Sequence, residues 1–545
     1  MISGLTLRDA IVSGANAIQN RKHSVDELNI FPVPDGDTGT NMSMTMSSAR
    51  TELLALEPST AGEVAAKAGT ALLRGARGNS GVILSLLFRG FSKGLKGVEE
   101  ASGTDLANAV TLGVEGAYKA VQKPTEGTIL TVARVAAERG RAVAEINNSP
   151  VAVWDAICEA AEAALATTPD LLPVLKRAGV VDAGGQGLCY IFRGMQSVFS
   201  SGAVVELSDS NDTAADVDSF QSVIERFDGV VNYAYSVEFV IARENGDPTA
   251  LREYLDSIGD CVVVVDNDEV IKAHVHTDKP GEAITHALTY GQLTSTKIEN
   301  IGGQNGGAGS SAEPSAKALQ RVDPVEGTVG FVAVAAGAGL ISTFRDLGCE
   351  HVVSGGQTMN PSTDDILAAV QATAASTVFV LPNNKNIIMA AEQSVPLADR
   401  RVIVLQTTTI PQGVSAMLAY DPDAGVDDNA ESMMAAAEKV STGQITFAAR
   451  DSEFDNKHIN EGDILALNNK KLVFLDKDPV RAAAKLCRQM VTRDTSFITI
   501  FYGEGISDAQ AEELRRIIES KVTKDAEVML VNGGQPIYYF ILSIE

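Results

Sequence analysis

Sulfur, positive charge and long apolar runs are all in short supply in this sequence. Only five of its 545 residues are cysteine (Cys158, Cys189, Cys261, Cys349, Cys487), an odd number without a CxxC pair. That usage excludes a disulfide scaffold and fits a reduced compartment, where such thiols fill small core positions. Lys and Arg number 44 against 70 Asp and Glu, a formal charge of −26. No basic excess is present to neutralise nucleic-acid phosphates or to dock on an anionic membrane. The most apolar stretch, Val329 to Ile341, is broken by Gly330, Gly337 and Gly339 and reads as a buried strand and loop. The N-terminus has no basic segment followed by an apolar run. The expected address is therefore cytoplasmic, with no nucleic-acid partner and no membrane insertion. Walker A, GxGxxG and HExxH patterns are also missing, so the familiar phosphate and zinc machinery is not used.

What is present is the composition of a packed protein, 45% hydrophobic and 21% charged, long enough for two to four domains. Residues 1–205 carry apolar residues at spacings near three and four, the mark of amphipathic helices. The acidic stretch from Ser208 to Ser219 reads as a solvated linker. Residues 225–303 change period and read as strand, helix, strand, strand, helix, strand, a small α+β domain of split βαβ type. A Gly/Ser-rich tether follows, from Gly302 to Ala316. From 327 to 545 apolar runs alternate with helical patterns, which predicts an α/β domain with a largely parallel sheet and ligand loops at its strand C-terminal ends.

The most informative stretch is LNIFPVPDGDTGTNM, Leu28 to Met42. Asp35 and Asp37 flank Gly36 in a segment that Pro32 and Pro34 keep out of a helix. Two carboxylates so placed form a hard-oxygen site suited to Mg²⁺. Gly36 and Gly39 let the backbone turn tightly, and Thr38, Gly39, Thr40 and Asn41 lead into the next helix. Free N–H groups at that helix start would make a phosphate cradle. DGD alone is equally an Asx-turn with solvated carboxylates.

The full string resembles the ATP-binding domain of dihydroxyacetone kinases, and more closely the ATP-binding component of bacterial fatty acid kinases. GARGNSGVILSLLFRG (Gly75 to Gly90), KPTEGTILTVA (Lys123 to Ala133), GVVDAGGQGL (Gly179 to Leu188), HVHT, GGQTMNPST and LPNNKN agree in order, so the resemblance spans essentially the whole chain. It implies an N-terminal all-α barrel of antiparallel helices with ATP at one open end. Asp35 and Asp37 would hold Mg²⁺ on the phosphates. The dihydroxyacetone kinases have a third aspartate where this chain has Ile30, and Asn29 is the candidate substitute. Thr38, Gly39, Thr40 and Asn41 would contact phosphates, with Asn79, Ser80 and Gly81 adding donors. Thr128 and Leu130 would line the adenine and ribose pocket, and Asp182, Gly184 and Gly185 would close it.

His274 and His276 alternate along a strand, so both imidazoles share one face. That suits Zn²⁺, and equally a solvated pair on a half-exposed sheet. The family adds a cysteine where this chain has Ser236. The resemblance further implies transfer of phosphate from ATP to a fatty acid carboxylate, giving an acyl phosphate for phospholipid synthesis. The acid would be presented by a separate DegV-family fatty-acid-binding protein, and the kinase would form a homodimer through its middle domain. C-terminal loops carrying Thr358, Asn360, Asn383, Asn384, Lys385 and Gln412 follow predicted strands and are candidates for the dock. Two other readings stand beside this one. A dihydroxyacetone-type kinase acting on a small polyol would need a substrate-trapping histidine, and none of the six sits in a fitting context. A non-catalytic nucleotide-binding regulatory scaffold would not need both aspartates.

Overall fold

The computed structural model describes residues 1–29, 36–57, 60–121, 123–207, 235–243, 248–266, 270–300, 319–356, 359–454, 457–522 and 526–545. Asp35, Thr358 and both expected linkers lie outside these residues. The chain divides into two compact units, one of Met1–Leu207 with Ser315–Glu545 and one of Ser208–Pro314.

The helical part of the larger unit comprises α1 (Gly4–Gln19), α2 (Lys22–Asp26), α3 (Thr38–Leu54), α4 (Ala61–Arg74), α5 (Gly78–Gly94), α6 (Gly103–Ala120), α7 (Ile129–Ala144), α8 (Pro150–Leu171), α9 (Pro173–Ala178) and α10 (Ala183–Ser201). Helix α4 shows why. Ala61, Val64, Ala65, Ala68 and Leu72 are buried at helical spacing, while Glu63, Lys67 and Thr70 face solvent. Thr60 caps its first turn by accepting from the Glu63 N–H. Trp154 of α8 is 1% exposed and meets the edges of Phe91, Phe192 and Phe199, and its indole N–H donates to the Phe192 carbonyl at 3.1 Å.

The smaller unit runs β1 (Tyr235–Arg243), α11 (Pro248–Ile258), β2 (Gly259–Asp266), β3 (Val270–Thr277), α12 (Pro280–Ala287) and β4 (Gly291–Asn300). Its sheet has the order β2-β3-β1-β4, antiparallel throughout. Leu251, Leu255, Ala283 and Ala287 of the two helices share a core with Val237, Phe239, Ile241, Ile271, Ala273 and Val275 of the strands.

The rest of the larger unit begins with β5 (Val329–Ala335), α13 (Ala338–Asp346), β6 (His351–Ser354), α14 (Thr363–Ala372), β7 (Thr377–Leu381), α15 (Lys385–Ser394) and β8 (Arg401–Val404). These strands form a parallel sheet of order β6-β5-β7-β8. Then follow α16 (Ile410–Leu418), α17 (Val426–Lys439), β9 (Ser441–Phe447), β10 (Ser452–Phe454), β11 (Lys457–Ile459), β12 (Ile464–Asn468), β13 (Lys471–Asp476), α18 (Pro479–Met490), β14 (Phe497–Tyr502), α19 (Asp508–Ile517), β15 (Glu527–Asn532) and β16 (Phe540–Ile544). The second sheet, β13-β12-β9-β16-β14-β15, is antiparallel except between β14 and β15. A largely parallel sheet was the sequence expectation, and it describes only the first half of this lobe. Strand β9 is one reason, since burying Thr442, Gln444 and Thr446 leaves it no apolar run, and the antiparallel pairing of β12 and β16 on either side of it is set by the tertiary fold.

One buried cluster joins the helical part to the α/β lobe. Ile366, Ala369 and Val370 of α14 and Ile387, Ala390 and Ala391 of α15 belong to the same core as the N-terminal helices, with α15 laid on α5. This packing brings loops of the α/β lobe to the acidic segment.

Candidate functional site

The start of α3 is held by a residue that the motif does not contain. Asp26, the last residue of α2, accepts from the N–H groups of Gly39 (2.6 Å) and Thr40 (3.1 Å) and from the Thr40 hydroxyl (2.7 Å). The sequence places free donors here; in the structure Asp26 takes them and acts as the cap. Burial pushes the Asp26 carboxyl above the ordinary range, and the bonds from Thr40 and Gly39 pull it back. Asn29 accepts from the Thr38 hydroxyl at 2.9 Å and donates to the Asp26 carbonyl at 2.9 Å, so it braces the entry to the acidic loop.

Asp37 and Asn41 meet a residue more than three hundred positions away in sequence. Nδ2 of Asn360 lies 2.5 Å from Asp37 Oδ2 and 3.5 Å from Asn41 Oδ1. On the other side of the loop, Arg450 donates to the backbone carbonyls of Glu27, at 2.7 Å, and of Asn29. Neither contact could be read from the sequence, since both depend on how the two lobes pack.

Helix α5 presents a second N-terminus. Its N-cap, Arg77, makes no side-chain cap and pairs with Ser362 in an antiparallel bridge that turns the Gly78 N–H toward the Pro361 carbonyl; the N–H groups of Asn79 and Ser80 stand at the positive end of the helix. The Arg77 guanidinium instead donates to the Asn360 carbonyl at 2.9 Å and approaches Asp365 at 3.4 Å. Asn79 reaches Asn386 at the start of α15, at 3.3 Å. Gly78 has φ +57, and a Cβ there would stand 2.5 Å from Asn41 Nδ2.

Thr128, Leu130, Asp182, Gly184 and Gly185 gather at the starts of α7 and α10. Asp182 accepts from Gly185 N–H at 2.7 Å and also from the backbone of Ile129, so one carboxylate caps both helices. Burial raises its pKa to about 6 against those two bonds. Thr128 caps α7, while Leu130 is 2% exposed and belongs to the core. This group connects to α3 through Gly187, where a Cβ would stand 2.6 Å from Met42 Sδ.

Of the C-terminal loops named from the sequence, the one carrying Asn360 follows β6, the one carrying Asn383, Asn384 and Lys385 follows β7, and the one carrying Gln412 follows β8. A small cleft beside them is lined by Asn383, Asn384, Thr408, Thr409, Gln444 and Tyr538 among others. Much of its amide chemistry is internal. Asn383 donates to the Val334 carbonyl at 3.0 Å, Asn384 caps α15, and Gln412 accepts from the Thr408 N–H and hydroxyl.

In the smaller unit, the rings of His274 and His276 lie 4.9 Å apart, edge to face. Burial, then the neighbouring His276, lowers the His274 pKa to about 4. Ser236 stands opposite His276 in the β1–β3 register. Among the described residues no third His, Cys, Asp or Glu joins the pair, so these donors are a poor fit to zinc.

Three family models match along the chain: the DAK2 domain over residues 32–197, the middle domain of the FakA-like fatty acid kinases over 232–307, and their C-terminal domain over 330–545. The chain belongs to the FakA-like fatty acid kinase family. It is accordingly a multidomain protein of a kinase family, with an N-terminal helical DAK2 domain and a C-terminal α/β domain. Family relatives at full length include protein YloV of Bacillus subtilis (strain 168), 39% identical over 553 residues, covering 100% of this chain and 99% of that protein. An uncharacterized protein of Staphylococcus haemolyticus is 37% identical with the same coverage. Among solved structures, a DegV family protein from Corynebacterium glutamicum aligns with TM-score 0.31 and 15% identity over 40% of this chain and 95% of its own. The dihydroxyacetone kinase from C. freundii with AMP-PNP and Mg²⁺ aligns with TM-score 0.29 and 20% identity over 36% of this chain and 34% of its own. In this FakA-like chain the acidic string is legible from sequence. Asp26, Arg77 and Arg450 are not, and Asn360, named from the sequence only as a dock residue, lies instead against Asp37. No helix among the described residues is long and apolar enough to cross a membrane.

Proposed function

We propose that this chain is the ATP- and Mg²⁺-dependent component of a cytoplasmic fatty acid kinase, and that it converts a fatty acid carboxylate to an acyl phosphate. The observation that carries the reading is the ordered match of middle and C-terminal family models, both of the FakA-like fatty acid kinases, behind a DAK2 domain. Asp37 Oδ2 and Asn41 Oδ1 face one point, now filled by Nδ2 of Asn360, and two oxygens so placed suit a hard cation. Asp35 and Asp37 would hold Mg²⁺, with Asn29 as a further oxygen, and the ion would supply charge neutralisation on the phosphates.

The residues of the chain do the positioning. The backbone amides of Asn79 and Ser80, with Gly78 and Gly81 beside them, would receive phosphate oxygens at the positive end of α5. Thr38, Gly39, Thr40 and Asn41 shape the opposite wall, with Asp26 fixing their backbone. Thr128, Leu130, Gly184 and Gly185 would border the base and sugar, and Asp182 holds the helix starts on which they sit. No general base is needed, because a carboxylic acid of pKa about 4 is already ionised at neutral pH. The acceptor requires alignment and relief of repulsion, which the helix N-terminus and the cation provide.

The helical part would be the antiparallel barrel of its family, the three domains would run 1–205, 225–303 and 327–545, and the smaller unit would mediate a homodimer. A DegV-family fatty-acid-binding protein would present the substrate to the C-terminal loops. The test is ADP release and hydroxamate trapping of the acyl phosphate with ATP, Mg²⁺ and a DegV-family protein loaded with fatty acid. Turnover of glycerone without that carrier would refute the reading.

A further inference from the structure

Asn360 is 1% exposed and is fixed from both sides. Arg77 holds its carbonyl, and the N–H of Thr363, three residues on, donates to the Ala76 carbonyl at 3.1 Å. Its Nδ2 points at Asp37 Oδ2 and Asn41 Oδ1, while its own Oδ1 is buried and accepts no hydrogen bond among the described residues. A carboxamide so placed satisfies its donor and strands its acceptor. A half-turn of the amide exchanges the two ends and brings Oδ1 into the space now filled by Nδ2. Three oxygens would then face one another, an arrangement that a divalent cation stabilises and that repels without one. The amide N–H₂ thus stands where a hard cation would. Gly78 keeps the space open, because a Cβ on it would lie 2.5 Å from Asn41 Nδ2 and 3.4 Å from Asn360 Nδ2.

We propose that Asn360, from the α/β lobe, is an oxygen ligand of the divalent-cation site begun by Asp37 in the helical part. The inference rests on the Mg²⁺ reading given above and adds to it that the site is composite: the helical part alone holds an incomplete ligand set. A contact that only fastened the lobes together would have the same hydrogen bond, so the test must separate the two roles.

The test uses the full chain, with Mn²⁺ titrated in the presence of a non-hydrolysable ATP analogue and free metal read by EPR. Asn360→Ala is expected to weaken Mn²⁺ about tenfold, and Asn360→Asp to tighten it about tenfold by adding a charged oxygen. In EDTA the Asp variant should melt below wild type, since two carboxylates then face each other, and saturating Mn²⁺ should restore it. Were the contact a fastener only, both variants would lose the Asp37 bond and weaken metal uptake alike, and Mn²⁺ would not rescue the Asp variant. Either that pattern or Mn²⁺ affinities within twofold of wild type would overturn the proposal while leaving the Mg²⁺ reading intact. Wild type taking up no Mn²⁺ would overturn both.

Discussion

Replacing Asp26 by alanine removes three hydrogen bonds from the first turn of α3, directly behind Asp37. Loss of a helix cap costs about 1–2 kcal/mol, and the additional Thr40 hydroxyl bond contributes about 1 kcal/mol. Burial of the ionised carboxyl, which raises its pKa, offsets part of this, so a net loss of about 2 kcal/mol is expected. Asn should cost less than about 1 kcal/mol, because its carbonyl still accepts from both N–H groups and the Thr40 hydroxyl can turn to accept from its amide. The chain's single tryptophan offers a local probe, since Trp154 is buried in the helical core. Its fluorescence in urea reports the helical part and not an average over all domains. With a slope of about 2–3 kcal/mol per molar, the Ala variant should shift the midpoint down by about 0.7–1 M. A shift below about 0.2 M, or an Asn variant as damaged as Ala, would refute the capping argument.

Asp37→Ala should lower kcat/KM of the carrier-dependent kinase reaction about a thousandfold or more with the helical content unchanged; near-normal turnover would remove the acidic loop from the mechanism. Gly78→Ala places a Cβ at φ +57 against the Asn41 amide and should cost about 1–2 kcal/mol in the same urea assay, whereas wild-type stability would contradict the crowding. The Asp182 carboxyl, raised to about 6 in the folded state from 3.8, binds its proton more tightly when folded. Its ionisation therefore erodes stability as pH climbs from about 4 to 6, by on the order of 2 kcal/mol after allowance for partial exposure. Asp182→Asn should accordingly raise the urea midpoint at pH 8 and match wild type near pH 4; a variant weaker at pH 8 would reverse the sign. Burial pushes the thiols of Cys189, Cys349 and Cys487 up to about 12 and Cys158 up as well. A disulfide reagent at pH 8 should then label at most one of the five cysteines until denaturant is added, and two or more rapid equivalents would show the cores to be open.

The helical part could be located from spacing alone, because amphipathic periodicity and Ser/Thr/Asp caps are local properties of the chain. The same holds for the parallel strand β7, a continuous apolar run buried on both faces, and for most of β5. Strand β9 was invisible because Thr442, Gln444 and Thr446 are buried around its one fully buried aliphatic residue, Ile445, and leave no apolar run. At the site, the sequence determined which carboxylates, hydroxyls and glycines the acidic string carries. It said nothing of Asp26 as their cap, since a lone aspartate ending a five-residue helix has no pattern, and so it left donors free that the fold has already filled. Only the packing of the α/β lobe on the helical core brought Asn360 to Asp37 and Arg450 to the carbonyls of Glu27 and Asn29. Local order follows from backbone and side-chain preferences within a few residues. A contact between positions 37 and 360 exists only after distant apolar faces have been buried against each other.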